Sequence, residues 1–154
     1  MRDTICFLAT SKSKTWGVLA ACAIALTMPV SFAVADGAIA VGSSGDLAKD
    51  GFAFGASLNQ PDRRSAREEA VAICRRYVGA PKMAELCRPV ASFRNECYAL
   101  AFDSQAGMPG TGWAIGRDKA QAERRALGSC RATAGKDRAQ FCVVHRSDCD
   151  GTAN

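Results

Sequence analysis

His145 is the one histidine in the chain, and Ser147, Asp148 and Asp150 follow it closely. A hydroxyl, an imidazole and a carboxylate are the parts of a nucleophilic hydrolase: the base takes the hydroxyl proton and the acid orients the base. The spacing argues against that assembly. Neighbours on a strand point to opposite faces, and a triad is defined by geometry rather than by closeness in sequence. A half-exposed histidine at the end of a strand is the favoured reading. Glu68, Glu69 and Glu123 invite comparison with the paired carboxylates of glycoside hydrolysis. Ser65-x-x-Glu68, however, has the form of a capping box, and the other two fall on polar helix faces. Asp46 and Asp50 lie in a Gly-rich stretch without the acidic density of a calcium loop, which favours an ordinary turn. No residue is therefore assigned a catalytic role, and no cofactor is called for.

Binding chemistry has more candidates. Arg63, Arg64 and Arg67 precede or open one helical segment, Arg75 and Arg76 lie within it, and Arg124 and Arg125 lie on another. A basic face of this kind could meet an anionic envelope component or an acidic protein partner. Arg63, Arg64, Arg124 and Arg125, with Trp113, are the candidate binding residues. Glu68, Glu69 and Glu123 interleave with the arginines, which favours a mixed, solvated surface. Phe52, Phe54 and Trp113 could form a recognition stripe, but aromatics at alternating strand positions are more often core. The net charge is +5, falling to +3 when Arg2, Lys12, Lys14 and Asp3 of the first segment are set aside. That is too weakly basic to argue for nucleic acid.

That first segment reads as a secretory leader. Its basic residues precede an apolar run from Trp16 to Met28, and Ala33-Val34-Ala35 offers the small-x-small pattern of signal peptidase. Residues 1–35 are expected to be a cleaved signal peptide and residues 36–154 a single domain, periplasmic or secreted. The apolar run is shorter than the roughly 20 residues a membrane-spanning helix needs. Leu19-Ala20-Ala21-Cys22 resembles a lipobox, but the sequence stays apolar after Cys22, so lipidation there is the lesser option.

Of the eight cysteines, Cys6 and Cys22 lie in the leader. The other six form an even set, which in an exported chain argues for disulfides. A metal site is disfavoured by the single histidine and the absence of Cys-x-x-Cys.

The elements around these residues occur twice. Ala38–Val41 matches Ala99–Phe102, and Gly51-Phe52-Ala53-Phe54-Gly55 matches Gly112-Trp113-Ala114-Ile115-Gly116. Ala70 and Cys74 match Ala126 and Cys130, Cys87 matches Cys142, and Cys97 matches Cys149. On this alignment the first copy has a longer connection before its helix, from Ser57 to Arg64. Each copy, 38–97 and 98–150, reads as strand, turn, strand, helix, strand. The fold class is α+β: two pseudo-symmetric strand-strand-helix-strand units in one disulfide-stapled domain, with both helices covering one side. Cys74 ends a helix and Cys87 opens the returning strand, and Cys130 and Cys142 stand in the same relation. The expected pairs are therefore Cys74–Cys87, Cys130–Cys142 and Cys97–Cys149, the last tying the two units together.

The helix ending in Cys, the following Cys, then Cys97-Tyr98-Ala99-Leu100-Ala101 and Gly112-Trp113-Ala114-Ile115-Gly116 resemble the small secreted bacterial proteins grouped as domain of unknown function 4189. The resemblance implies export and disulfide bonding and supplies no catalytic residues. The functional expectation is an exported, non-enzymatic binding module for a protein or envelope component. The alternatives are a secreted hydrolase using His145 and an inhibitor of another exported enzyme.

Overall fold

The computed structural model describes residues 35–105 and 110–153. The expected leader, but for Ala35, lies outside the described residues, and with it Cys22. The first half of the domain comprises β1 (Asp36–Gly42), the single-turn α1 (Leu47–Asp50), β2 (Ala53–Gln60), α2 (Arg63–Arg75), the short α3 (Pro81–Glu85) and β3 (Arg88–Phe93). The second comprises β4 (Cys97–Asp103), β5 (Thr111–Gly116), α4 (Lys119–Ala134), a 3₁₀ turn (Ala139–Phe141) and β6 (Cys142–Cys149). Each half is an antiparallel three-stranded sheet with its first strand in the centre, in the orders β2-β1-β3 and β5-β4-β6.

Side-chain size along the strands decides the layering. In β1, Ala38 and Ala40 face α2 while Ile39 faces the opposite way. In β4, Ala99 and Ala101 face α4 while Tyr98 faces away. Small residues on one face let a helix approach closely; large ones on the other leave an apolar surface that still needs cover. The sheets satisfy it by packing large face to large face, through Ile39, Phe54, Leu58, Phe93, Tyr98, Trp113 and Ile115. The helices consequently lie on opposite outer faces. They do not cover one side, as the amphipathic pattern alone suggested.

The close helix approach explains two glycines. A Cβ on Gly55 would collide with the backbone of Ala70 and Cys74, and one on Gly112 with that of Ala126 and Cys130. Gly55 and Gly112 therefore hold equivalent places, and the sequence alignment of Gly51–Gly55 with Gly112–Gly116 is four residues out of register. The extra residues of the first half lie between β1 and β2, where they form α1; Ser57–Gln60 belong to β2. Gly55→Ala and Gly112→Ala should each cost about 3 kcal/mol by overpacking. Urea denaturation would show matching drops at the two sites.

Helix starts follow the same equivalence. The Asp62 carboxylate accepts from Ser65 N at 2.9 Å, and the Asp118 carboxylate accepts from Gln121 N at 2.7 Å. Gln121 Oε1 accepts in turn from Arg117 N. The capping box expected at Ser65 and Glu68 does not form. The helix begins at Arg63, placing Ser65 inside the first turn and leaving Glu68 to pair with Arg64 at 2.8 Å.

Three disulfides brace the halves: Cys74–Cys87 and Cys130–Cys142, each with Cα atoms 6.0 Å apart, and Cys97–Cys149. Cys97 opens β4 and pairs in register with Cys149 of β6, so this bond lies inside the second sheet and does not join the two halves. The equivalent place in the first sheet holds an ion pair. Arg94 donates to both carboxylate oxygens of buried Asp36, at 3.1 and 2.8 Å.

What joins the halves, besides the inter-sheet layer, is Asp150. Its buried carboxylate accepts from Asn59 N at 2.6 Å and Asn95 N at 3.3 Å, both in the first half. Asn59 and Asn95 have φ of 55° and 51°, the left-handed region that asparagine tolerates better than most residues. Their side-chain oxygens accept from Gly151 N and Thr152 N, completing the latch.

Candidate functional site

Both edge strands that follow a helix carry one β-bulge, at the same place. Ile39 pairs with Ala91 and Ala40 with Pro89, leaving Val90 unmatched. Leu100 pairs with Arg146 and Ala101 with Val144, leaving His145 unmatched. A bulge re-aims the residue it carries. Here it turns His145 toward Phe102, with ring centroids 4.4 Å apart.

His145 and Phe102 form one wall of a cavity of 370 Å³ that opens between the halves. Leu100 and Arg146 complete the second half's contribution, and Phe52, Phe54, Ile73, Arg76 and Tyr77 supply the first half's. The site thus joins β2 and the end of α2 to β4 and the bulge of β6. Its floor is apolar and its rim cationic. Arg146 is held by Asp148, Nε to Oδ2 at 3.0 Å, and Arg76 by Glu69 at 3.3 Å. Each ion pair engages one guanidinium nitrogen. The hydrogen bond to Asp148 also raises the Arg146 pKa, so this guanidinium stays charged.

Tyr98 lies behind the cavity in the inter-sheet layer, against Phe54 and Phe93. Burial is the main cause that pushes its phenol up to about 12. The neutral phenol is thus favoured in the folded state. Stability from this residue is full below the unfolded value of about 10 and is lost as pH rises through about 12. In a Tyr77→Phe protein Tyr98 is the one tyrosine left. Absorbance at 295 nm should then rise only near pH 12 or on unfolding, not near 10.

The groups that suggested hydrolysis are drawn apart. Ser147 donates to Glu123 of α4 at 2.5 Å, Asp148 is engaged by Arg146 and Tyr98, and Asp150 is buried in its latch. No hydroxyl or carboxylate hydrogen-bonds to His145 among the described residues. Glu68 and Glu69 on α2 pair with Arg64 and Arg76, on the opposite face of the domain from Glu123. Asp46 caps α1, and Asp50 accepts from Ser44 Oγ at 2.7 Å. Among the described residues no cluster of metal-ligating side chains occurs.

The arginine candidates do not form one patch. Arg63 and Arg64 are exposed on α2 and Arg124 and Arg125 on α4, at opposite outer faces. Arg125 donates to the Ile115 carbonyl at 3.0 Å. Trp113 is half-buried in the inter-sheet layer. Arg76, Tyr77, Phe102 and Arg146, which the sequence did not single out together, are the residues that converge.

A family model described as a domain of unknown function, DUF4189, matches residues 36–149. The chain belongs to the DUF4189 family. The matched span begins with β1 at Asp36 and ends with β6 at Cys149, so the DUF4189 unit is the pair of sheets together. Asp150, which latches the halves, lies one residue beyond it. Neither a curated relative nor a solved structure matches this DUF4189 protein. Among its described residues no helix is long and apolar enough to cross a membrane.

Proposed function

We propose that this protein is an exported, disulfide-braced binding module that performs no catalysis, and that the groove between its halves is the binding surface. Export is supported by the leader pattern of residues 1–35 and by a fold braced by three disulfides, which persist in oxidising compartments. On this reading cleavage before Asp36 releases residues 36–154, two copies of one ancestral unit, into the periplasm or beyond it.

One observation carries the assignment to the groove. The two halves share sheet order, bulge and helix placement, so they can be compared position by position. The lining of the groove differs between them. The positions equivalent to Phe54, Arg76 and Tyr77 hold Thr111, Ala132 and Thr133, and those equivalent to Phe102, His145 and Arg146 hold Val41, Val90 and Ala91. Rings and charges are concentrated on one side of a pseudo-symmetric frame, and all of them but Phe54 lie outside the inter-sheet layer. A concave apolar surface with a few convergent polar groups is the usual form of a ligand site.

The experiment compares the oxidised protein with His145→Ala on ester, peptide and glycoside substrates. A binding module shows no turnover that depends on His145. Turnover abolished by His145→Ala would make the protein a hydrolase.

A further inference from the structure

Resting on that groove as the binding surface, we infer that its ligand is a small aryl anion, a flat aromatic ring bearing one acidic group. The ring is specified by the walls. Phe52, Phe54 and Phe102 present aromatic surface, and the Tyr77 and His145 rings flank it. Aromatic pairs gain from offset or edge-to-face contact beyond the area they bury, so five converging rings favour a ring over an alkyl chain. The volume of 370 Å³ holds a ligand of one or two fused rings.

The acid is specified by the rim. Arg76 and Arg146 reach the cavity from opposite sides, one from the end of α2 and the other from the bulge of β6. Arg146 spends Nε on Asp148, and its terminal nitrogens have no partner among the described residues. Arg76 spends one terminal nitrogen on Glu69 and keeps its Nε and the other terminal nitrogen. A guanidinium with an open pair of donors suits an oxyanion, which it meets with two parallel hydrogen bonds. The partners Asp148 and Glu69 do not line the cavity, so an entering anion faces the cations rather than their counter-ions. No charged residue occupies the equivalent positions of the other half, where Ala132 and Ala91 stand.

The probe is 8-anilinonaphthalene-1-sulfonate, an aryl anion whose fluorescence rises on transfer from water, titrated into the oxidised protein. N-phenyl-1-naphthylamine supplies the same rings without the charge, and dodecanoate supplies an acid without a ring. The anionic probe should bind more tightly than the neutral one. Arg146→Gln should weaken it about tenfold, the worth of one charge-assisted hydrogen bond pair, and leave the neutral probe unaffected. Lys119→Gln, an equal change of charge at the start of α4, should leave both unchanged. Phe102→Leu keeps apolar volume and removes the ring, and should weaken both probes; near-ultraviolet circular dichroism establishes that each variant is folded. If both probes bind equally, depend on Phe102 and ignore Arg146, the anion is refuted and the groove stands. Displacement of the anionic probe by dodecanoate at lower concentration than by naphthalene-1-sulfonate, an aryl acid of two fused rings used as competitor, refutes the ring. If binding ignores Phe102 altogether, the groove itself is the wrong surface.

Discussion

Reduction of all three disulfides should unfold the protein at room temperature. The expectation comes from how little large apolar volume the core contains. The helix-facing layers are built mainly from alanine: Ala38, Ala40, Ala53, Ala66 and Ala70 in the first half, and Ala99, Ala101, Ala122 and Ala126 in the second. Alanine buries little area, and burial contributes only about 25 cal/mol per Å². Crosslinks compensate. In the chain-entropy model the bonds spanning 13 and 12 residues contribute about 3 kcal/mol each, and the one spanning 52 about 4. Their sum of about 10 kcal/mol is comparable to the whole stability of a typical domain, about 5–15 kcal/mol. Far-ultraviolet circular dichroism with and without a phosphine reductant would test this. Helix and strand signal should collapse on reduction and return on reoxidation. A reduced protein that still melts cooperatively would show that the core suffices. Removing Cys97 and Cys149 alone should cost about 4 kcal/mol and loosen β4 from β6, since that bond lies within one sheet.

Asp150→Ala should rank with the two glycine substitutions among the most damaging changes outside the cysteines, lowering stability by about 3 kcal/mol. The carboxylate is fully buried and accepts from two main-chain amides in the other half. Truncation removes both part-buried hydrogen bonds, and a hydrogen bond to a charged group contributes about 1.5–3 kcal/mol. Both asparagines also hold left-handed backbone that the latch helps to fix. For a domain of this size the loss lowers the melting temperature by roughly 12 °C. Asp150→Asn retains one acceptor oxygen and should fall between the two. Calorimetry of the three proteins would decide. An unchanged melting temperature for Asp150→Ala would mean that the inter-sheet layer alone unites the halves.

The α+β class and the repeated element order were legible because they rest on strong local signals. Alternation of small and large residues marks the strands, and a helix ending in cysteine recurs in each half. The strand register was not legible. Matching Gly51–Gly55 to Gly112–Gly116 relied on glycines and aromatics resembling one another in sequence. The structural demand for glycine comes instead from the helix crossing over Gly55 and Gly112, which depends on tertiary packing. The helix arrangement is illegible for a related reason: residue alternation marks a large face on each sheet as buried but does not say what buries it, and here it is the other sheet.

The groove was illegible as a unit because a bulge and two distant segments assemble it. The sequence sets His145 beside Ser147 and Asp148, yet its ring lies 4.4 Å from Phe102, in a cavity that Phe52 and Tyr77 also line. A usable signal was nevertheless present. With the strands in the right register, comparing the halves position by position shows rings and arginines where the other half has alanine, threonine or valine. Asp150 gave no such signal, since nothing in its local sequence tells that Asn59 and Asn95 will come to it.

The most direct test of the groove as the binding surface is a map of amide shifts in ¹⁵N-labelled oxidised protein titrated with 8-anilinonaphthalene-1-sulfonate. Saturable shifts should gather at Phe52, Tyr77, Leu100, Phe102, His145 and Arg146. The equivalent positions of the other half, Val41, Val90, Thr111 and Thr133, should stay still. Shifts of equal size on both sides, or shifts confined to the outer faces of α2 and α4, would contradict the account.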